Sequence, residues 1–362
     1  MKKLFTLSLL ACMAMSAAAQ LANGFYRIQN VSTGRYIVMY DPYVLVNKAT
    51  GTVNLTSLQT ITSFKTVRSH MGSVWYMEDK GNSQYDLFCQ HSSLGVNSEG
   101  FYPKLWAIDG SYRIYGEYDG FTKYLTDANN EDTGEGNVSI NGNKLNWTFL
   151  PIGGDNYIGI EPEVKADGYY WATFLSGFPF TLGSGMKAYY INNVNDNGFS
   201  KKEISGEIPA KLPVLIRLNG GSASDNIITV KKTSSASVPS DNKMYGVWYS
   251  SDLGGKHENY NVKYESNNRI LGKADGHLAF VKASSSDLIY DTYIEHNRGY
   301  LAVGANASSN IVDATSGIAS VKDEATDESK KGIFTLTGQK IPEGTTPRPG
   351  IYIKDGKKIV IK

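Results

Sequence analysis

The sequence predicts an all-β chain in three successive parts, and three observations carry that expectation. Glycine (37 residues) and tyrosine (24) are abundant and aromatic residues make up 12% of the 362, a composition tilted toward strands joined by tight turns. Turn dipeptides recur along the whole length: Asp109-Gly110, Asp119-Gly120, Asn141-Gly142, Asp167-Gly168, Asn197-Gly198, Asn219-Gly220, Asp275-Gly276 and Asp355-Gly356. Asn-Gly and Asp-Gly tolerate positive φ at both central turn positions, and here they stand between short runs that alternate apolar and polar residues, which is the hairpin pattern. No long amphipathic helix is expected beyond the N-terminal segment.

Residues 1–19 read as an export signal. Met1-Lys2-Lys3 is followed by an apolar run from Leu4 to about Met15 and then Ser16-Ala17-Ala18-Ala19, so cleavage after Ala19 is expected. Leu9-Leu10-Ala11-Cys12 has the form of a lipobox, which leaves a lipoprotein anchor as the alternative. The chain has two cysteines, Cys12 and Cys89; once the signal is removed Cys89 has no partner, and stability rests on burial instead of a disulfide. About 340 mature residues suffice for two or three ordinary domains. The formal net charge of +1 gives no broad basic field for nucleic acid, and no later segment is long and apolar enough to span a membrane.

Residues 20–153 carry a loose internal repeat. Phe25-Tyr26-Arg27-Ile28, followed by Gly34-Arg35-Tyr36-Ile37, is echoed by Ser111-Tyr112-Arg113-Ile114, followed by Phe121-Thr122-Lys123-Tyr124, with a weaker copy at Trp75-Tyr76-Met77 and Tyr85-Asp86-Leu87-Phe88. Candidate units close on Trp75, Trp106 and Trp147. Three tryptophans thus divide the segment into three unequal parts, the arithmetic of a β-trefoil. The opening run, Gly24 to Tyr36, resembles the ricin-B-like lectin trefoils, in which each third ends in Gln-x-Trp and holds a sugar on an acidic residue and an aromatic shelf. Ser73, Lys104 and Leu145 stand where those glutamines belong, so the resemblance reaches the fold further than it reaches the sugar.

Residues 154–312 show short strands at the spacing of a central β-sandwich: Gly168–Phe174, Phe178–Leu182, Met186–Tyr190, Val214–Leu218, Arg269–Gly272, His277–Phe280 and Gly299–Leu301. The order of these phrases looks like a domain common in secreted proteins of the Bacteroidota. Residues 313–331, rich in Ser, Thr, Asp, Glu and Lys, read as a linker. Residues 332–362 form a small C-terminal β-hairpin-rich domain around Asp355-Gly356. This tail is similar to the C-terminal sorting domains of Bacteroidota secretion systems, which implies a secreted, surface or outer-membrane-associated address, with the periplasm as the alternative.

Catalysis needs converging polar groups, and no motif nominates them. The five histidines, His70, His91, His257, His277 and His296, keep no metal-ligand spacing, and His277 and His296 are expected to be plain surface residues. Neither a Gly-x-Ser-x-Gly elbow nor a phosphate loop occurs. Alternation puts Cys89 among apolar neighbours, as a core thiol and not a nucleophile. The acidic run Asp127–Glu135 lacks the spacing of the helix-flanked calcium loop and reads as solvated. Neither a cofactor nor a metal is expected.

The predicted function is therefore that of a secreted, non-catalytic carbohydrate-binding protein, with no enclosed cluster of reactive side chains. Sugar recognition needs an aromatic face for C–H groups and planar polar side chains for hydroxyls. Two stretches fit: Tyr40, Asp41 and Tyr43, and Tyr118 and Asp119 continuing to Asp127 and Asn129. Expected partners are a glycan or glycoprotein and, through the tail, export machinery; nucleic acid is not expected. The alternatives are an adhesive surface protein that binds another protein, and an accessory part of an extracellular glycan-degrading system.

Overall fold

The computed structural model describes residues 20–40, 44–47, 52–55, 60–64, 66–90, 92–96, 100–128, 135–247, 262–289, 291–314, 333–335, 341, 347, 349–354 and 357–361. The protein is all-β. Helical structure among the described residues is confined to three-residue 3₁₀ turns at Met71–Ser73, Ala223–Asp225 and Ser285–Asp287.

The expected turn chemistry acts at three of the dipeptides and not at four others. At Asp119-Gly120, Asp167-Gly168 and Asp275-Gly276 both residues have positive φ, between 50° and 85°, and each pair closes a two-residue antiparallel connection. Asp109-Gly110, Asn141-Gly142, Asn197-Gly198 and Asn219-Gly220 turn without positive φ at either residue.

In the first part, strand Gly24–Asn30 pairs on one side with Trp75–Gly81 and on the other with Trp147–Pro151. Trp75–Gly81 continues to Gln84–Cys89, then Trp106–Ile108, then Ile114–Tyr118. A bridge between Arg113 and Asn146, with the Trp147 N–H donating to the Tyr112 carbonyl at 3.1 Å, returns this path to the Trp147 strand. The six strands thus run round to their starting point. Their enclosed core holds Ile28, Ile37, Leu87, Ile114 and all three tryptophans.

Each tryptophan repeats one arrangement. The indole N–H of Trp75 donates to the Ile37 carbonyl (3.1 Å), that of Trp106 to Leu94 (2.9 Å) and that of Trp147 to Leu125 (3.0 Å). None of the rings is more than 1% exposed. Burying roughly 200 Å² per ring at ~25 cal/mol per Å² contributes on the order of 5 kcal/mol each, before entropy is subtracted. The hydrogen bond is what makes such burial tolerable for a polar indole.

The second part has two sheets facing each other: four strands (Ile158–Gly159, Ile227–Val230, Phe180–Leu182, Glu207–Ile208) and ten strands running from Val164–Ala166 to Met244–Gly246. Strand Val214–Leu218 explains its own unbroken apolar sequence. Val214, Ile216 and Leu218 face the four-stranded sheet with Phe180 and Ile228, while Leu215 faces the opposite core with Trp171, Phe280 and Leu301. The ten-stranded sheet curls, so that Leu175 N–H reaches the Asn297 carbonyl and Asp167 N–H the Gly276 carbonyl, both at 3.0 Å.

The expected boundary near residue 153 falls inside one compact unit, Met1–Gly317. Met71 and Val74 of the first part belong to the apolar core between the two sheets, and Phe25 meets Phe178 edge-on at 5.0 Å. Arg27 fastens the same seam. Fully buried, its guanidinium donates to Ser73 Oγ (3.0 Å), Asn156 Oδ1 (2.7 Å) and the carbonyls of Tyr157 (2.8 Å) and Val67 (3.1 Å). Burial lowers its pKa to about 10, with the charge of Arg68 acting in the same direction, so it stays charged at neutral pH.

Strand Asn310–Asp313 carries the sheet into the start of the expected linker. The second unit, Ile318–Lys362, holds a three-stranded antiparallel sheet of Ile333–Thr335, Gly350–Lys354 and Lys357–Ile361. Lys354 pairs with Lys357 across the predicted hairpin; the turn residues Asp355 and Gly356 lie outside the described residues.

Candidate functional site

Hairpin Ile114–Tyr118 and Phe121–Tyr124 presents two exposed aromatic rings on the first part. Tyr118 (41% exposed) lies directly opposite Phe121 (63% exposed), so the two rings share one face beside the Asp119-Gly120 turn. Phe101 and Tyr102 brace the Tyr118 ring edge-on, at 5.8 and 5.9 Å. Behind the hairpin a shallow cleft of about 310 Å³ is lined by Asn82, Gln84, Lys104, Tyr115 and Glu117. The ring pair can stack on the C–H face of a sugar, with Asp119 beside it for a hydroxyl, while Tyr115, Glu117 and the cleft they line belong to the other face of the hairpin.

The predicted site residues meet different fates. Tyr118 and Asp119 stand together at the hairpin end, with Asp119 in the turn at φ 50°. Tyr40 ends the strand Tyr36–Tyr40, while Asp41, Tyr43 and Asn129 lie outside the described residues. Asp127 requires a correction. Its carboxylate is buried, accepts from Arg35 Nε at 3.0 Å and from the Thr33 hydroxyl, and cannot face a surface ligand. The side chains of Arg35 and Asp127 are 1% and 0% exposed, so each supplies the charge that makes burying the other tolerable.

A second cleft, of about 180 Å³, opens where the two parts of the first unit meet. Thr66, Ser69 and His70 line one wall, and Glu161, Glu295 and His296 the other. The imidazole centroids are 5.6 Å apart. Burial, together with the charge of Arg27, pushes the His70 pKa down to about 3. Burial lowers that of His296 well below its ordinary value too, aided by His70 and Arg298. Both rings are therefore neutral at physiological pH, each with one donor and one acceptor nitrogen.

Arg298 closes the cleft floor, 3.3 Å from Glu163 Oε1 and 3.4 Å from Glu295 Oε2. Burial works against its charge, but Glu163 and Glu295 outweigh it and hold the guanidinium pKa above the usual value. Burial raises the pKa of Glu163 despite Arg298 and despite its hydrogen bonds to Thr173. Deeper still, Asn297 donates to the Leu175 carbonyl at 2.7 Å and to Gln90 Oε1 at 3.2 Å, while Asn297 Oδ1 and Gln90 Nε2 have no hydrogen-bond partner.

No family model, curated protein or solved structure matches this chain.

The junction cleft corrects two expectations. His296 is a partly buried wall residue and not a plain surface one, and ionisable side chains do converge. His277 is exposed as expected, with Nδ1 2.7 Å from Asp167 Oδ1. Cys89 is fully buried, and desolvation raises its thiol pKa well above the ordinary value, so it is a core residue. Among the described residues no three His, Cys, Asp or Glu side chains gather as metal ligands, and no helix is long and apolar enough to cross a membrane. The one signal that could have exposed the cleft was the run Glu295-His296-Asn297-Arg298, four polar residues flanked by Tyr293, Ile294, Gly299 and Tyr300. Four polar side chains between two buried apolar pairs imply a loop held against something polar.

Proposed function

We propose that this chain is an exported, non-catalytic carbohydrate-binding protein whose first part is a trefoil that holds glycans on the Ile114–Tyr124 hairpin. The observation that carries the reading is the exposed Tyr118–Phe121 pair beside the Asp119-Gly120 turn, with Phe101 and Tyr102 bracing the Tyr118 ring. Leaving the rings 41% and 63% exposed forgoes burial worth roughly 1 kcal/mol each, a cost that binding would recover. The thrice-repeated tryptophan arrangement supports the trefoil. The secreted or surface address rests on the signal-like residues 1–19 and the hairpin tail. For that tail, export machinery is the proposed partner, and the exposed Ile351 and Val360, opposite each other on one face, are the groups it would cover.

A glycan array probed with residues 20–362 tests the proposal, alongside Tyr118→Ala, Phe121→Ala and Asp119→Ala variants. Binding that falls at least tenfold in the aromatic variants, with unchanged circular dichroism, is the expected result. Binding of no glycan at all, or binding indifferent to both rings, would sink it in favour of the adhesive reading. Turnover of a polysaccharide would instead place the chain among glycan-degrading proteins.

A further inference from the structure

The junction cleft is chemically distinct from the aromatic hairpin, and we infer that it is a second binding site, for one uncharged sugar ring. Its size sets the first limit. About 180 Å³ accommodates roughly six water molecules at ~30 Å³ each, or a single pyranose, with the open mouth leaving room for a longer glycan to continue outward.

Its lining sets the second. Its apolar lining is the edge of the inter-sheet core, from Met71, Ile160 and Phe174. The rest of the lining offers hydrogen-bonding groups of both senses in the hydroxyls of Thr66 and Ser69 and the carboxylates of Glu161 and Glu295. Alternating hydroxyls that both give and take hydrogen bonds match such a wall; a hydrocarbon would strand it.

Charge decides among the remaining candidates. An anionic ligand needs a cation to spare, yet Arg298 already serves Glu163 and Glu295. With both imidazoles neutral, the three carboxylates of Glu161, Glu163 and Glu295 stand against the two guanidiniums of Arg298 and of Arg27 behind His70, so the balance stays negative and a uronate or phosphate is repelled. A divalent ion lacks three convergent ligands among the described residues. A neutral polyol satisfies the walls without adding charge to either side.

Because the walls come from both parts, a bound sugar bridges the seam and must stabilise the folded chain. The test uses residues 20–362, titrated by calorimetry and followed by thermal melting, with methyl glycosides of neutral hexoses and with glucuronate and inorganic phosphate as charged controls. A neutral hexoside is expected to bind with a dissociation constant on the order of 1 mM, about −4 kcal/mol, and to raise the melting temperature. Glu161→Gln, at an exposed position, and Thr66→Val are each expected to weaken it several-fold, whereas Val238→Ala, exposed and outside both candidate sites, leaves it unchanged. Saturable binding of a hexoside that Tyr118→Ala abolishes and both cleft variants spare would overturn the inference while leaving the hairpin reading intact. Preference for the charged controls, or no response to any neutral hexoside, would overturn it as well.

Discussion

Lowering the pH from 7 to 5 should destabilise the folded chain by about 2 kcal/mol through His70 alone. In the unfolded chain an imidazole titrates near its ordinary pKa of ~6.5, whereas in the folded protein burial and Arg27 hold His70 at about 3. Between those values the unfolded state carries a proton that the folded state refuses, so stability rises with pH through this window and falls on acidification. Each pH unit inside the window is worth ~1.4 kcal/mol, and the step from 7 to 5 covers about 1.5 units of it. His296 shifts in the same direction and adds to the loss. Glu163 opposes it, because a carboxyl whose folded pKa is raised regains stability as pH falls through that value. Urea unfolding at pH 7 and pH 5, at constant ionic strength, isolates the His70 part as the difference between the wild type and His70→Gln. A drop in the variant that equals the wild-type drop within about 0.5 kcal/mol would refute the assignment, since the effect at stake is a large share of a typical 5–15 kcal/mol stability.

Three further outcomes follow from the seam between the two parts. Arg27→Met keeps the length of the side chain but strips the donors from Ser73, Asn156, Tyr157 and Val67, and should cost about 3–5 kcal/mol in urea unfolding. At Gly177 an added Cβ would stand 2.5–2.6 Å from Gln90 atoms, backbone included, so Gly177→Ala should cost roughly 1–3 kcal/mol and speed proteolysis at the seam. The buried Cys89 thiol should react with a thiol reagent only at the rate of global unfolding; rapid labelling of the native protein would show that its strand opens locally.

The candidate site was partly legible. Tyr118 and Asp119 could be placed on one hairpin because a two-residue Asp-Gly turn fixes which residues oppose each other. Phe121 was visible in the same run, but its exposure depends on Phe101 and Tyr102 filling the space on the Tyr118 side. Asp127 misled because an acidic run looks alike whether it meets water or an arginine 92 residues away.

What the sequence by itself determined is local: alternation made strands, Asp119-Gly120, Asp167-Gly168 and Asp275-Gly276 made their turns, and the apolar neighbours of Cys89 buried it. Tertiary structure alone decided which charges meet. Arg35 found Asp127, Arg27 found the carbonyls of the seam, and His70 came to face His296 across more than half the chain. The division has a physical cause. Backbone preferences act over a few residues and can be read in order, whereas the state of an ionisable side chain is set by desolvation and by charges that arrive only when distant segments pack together.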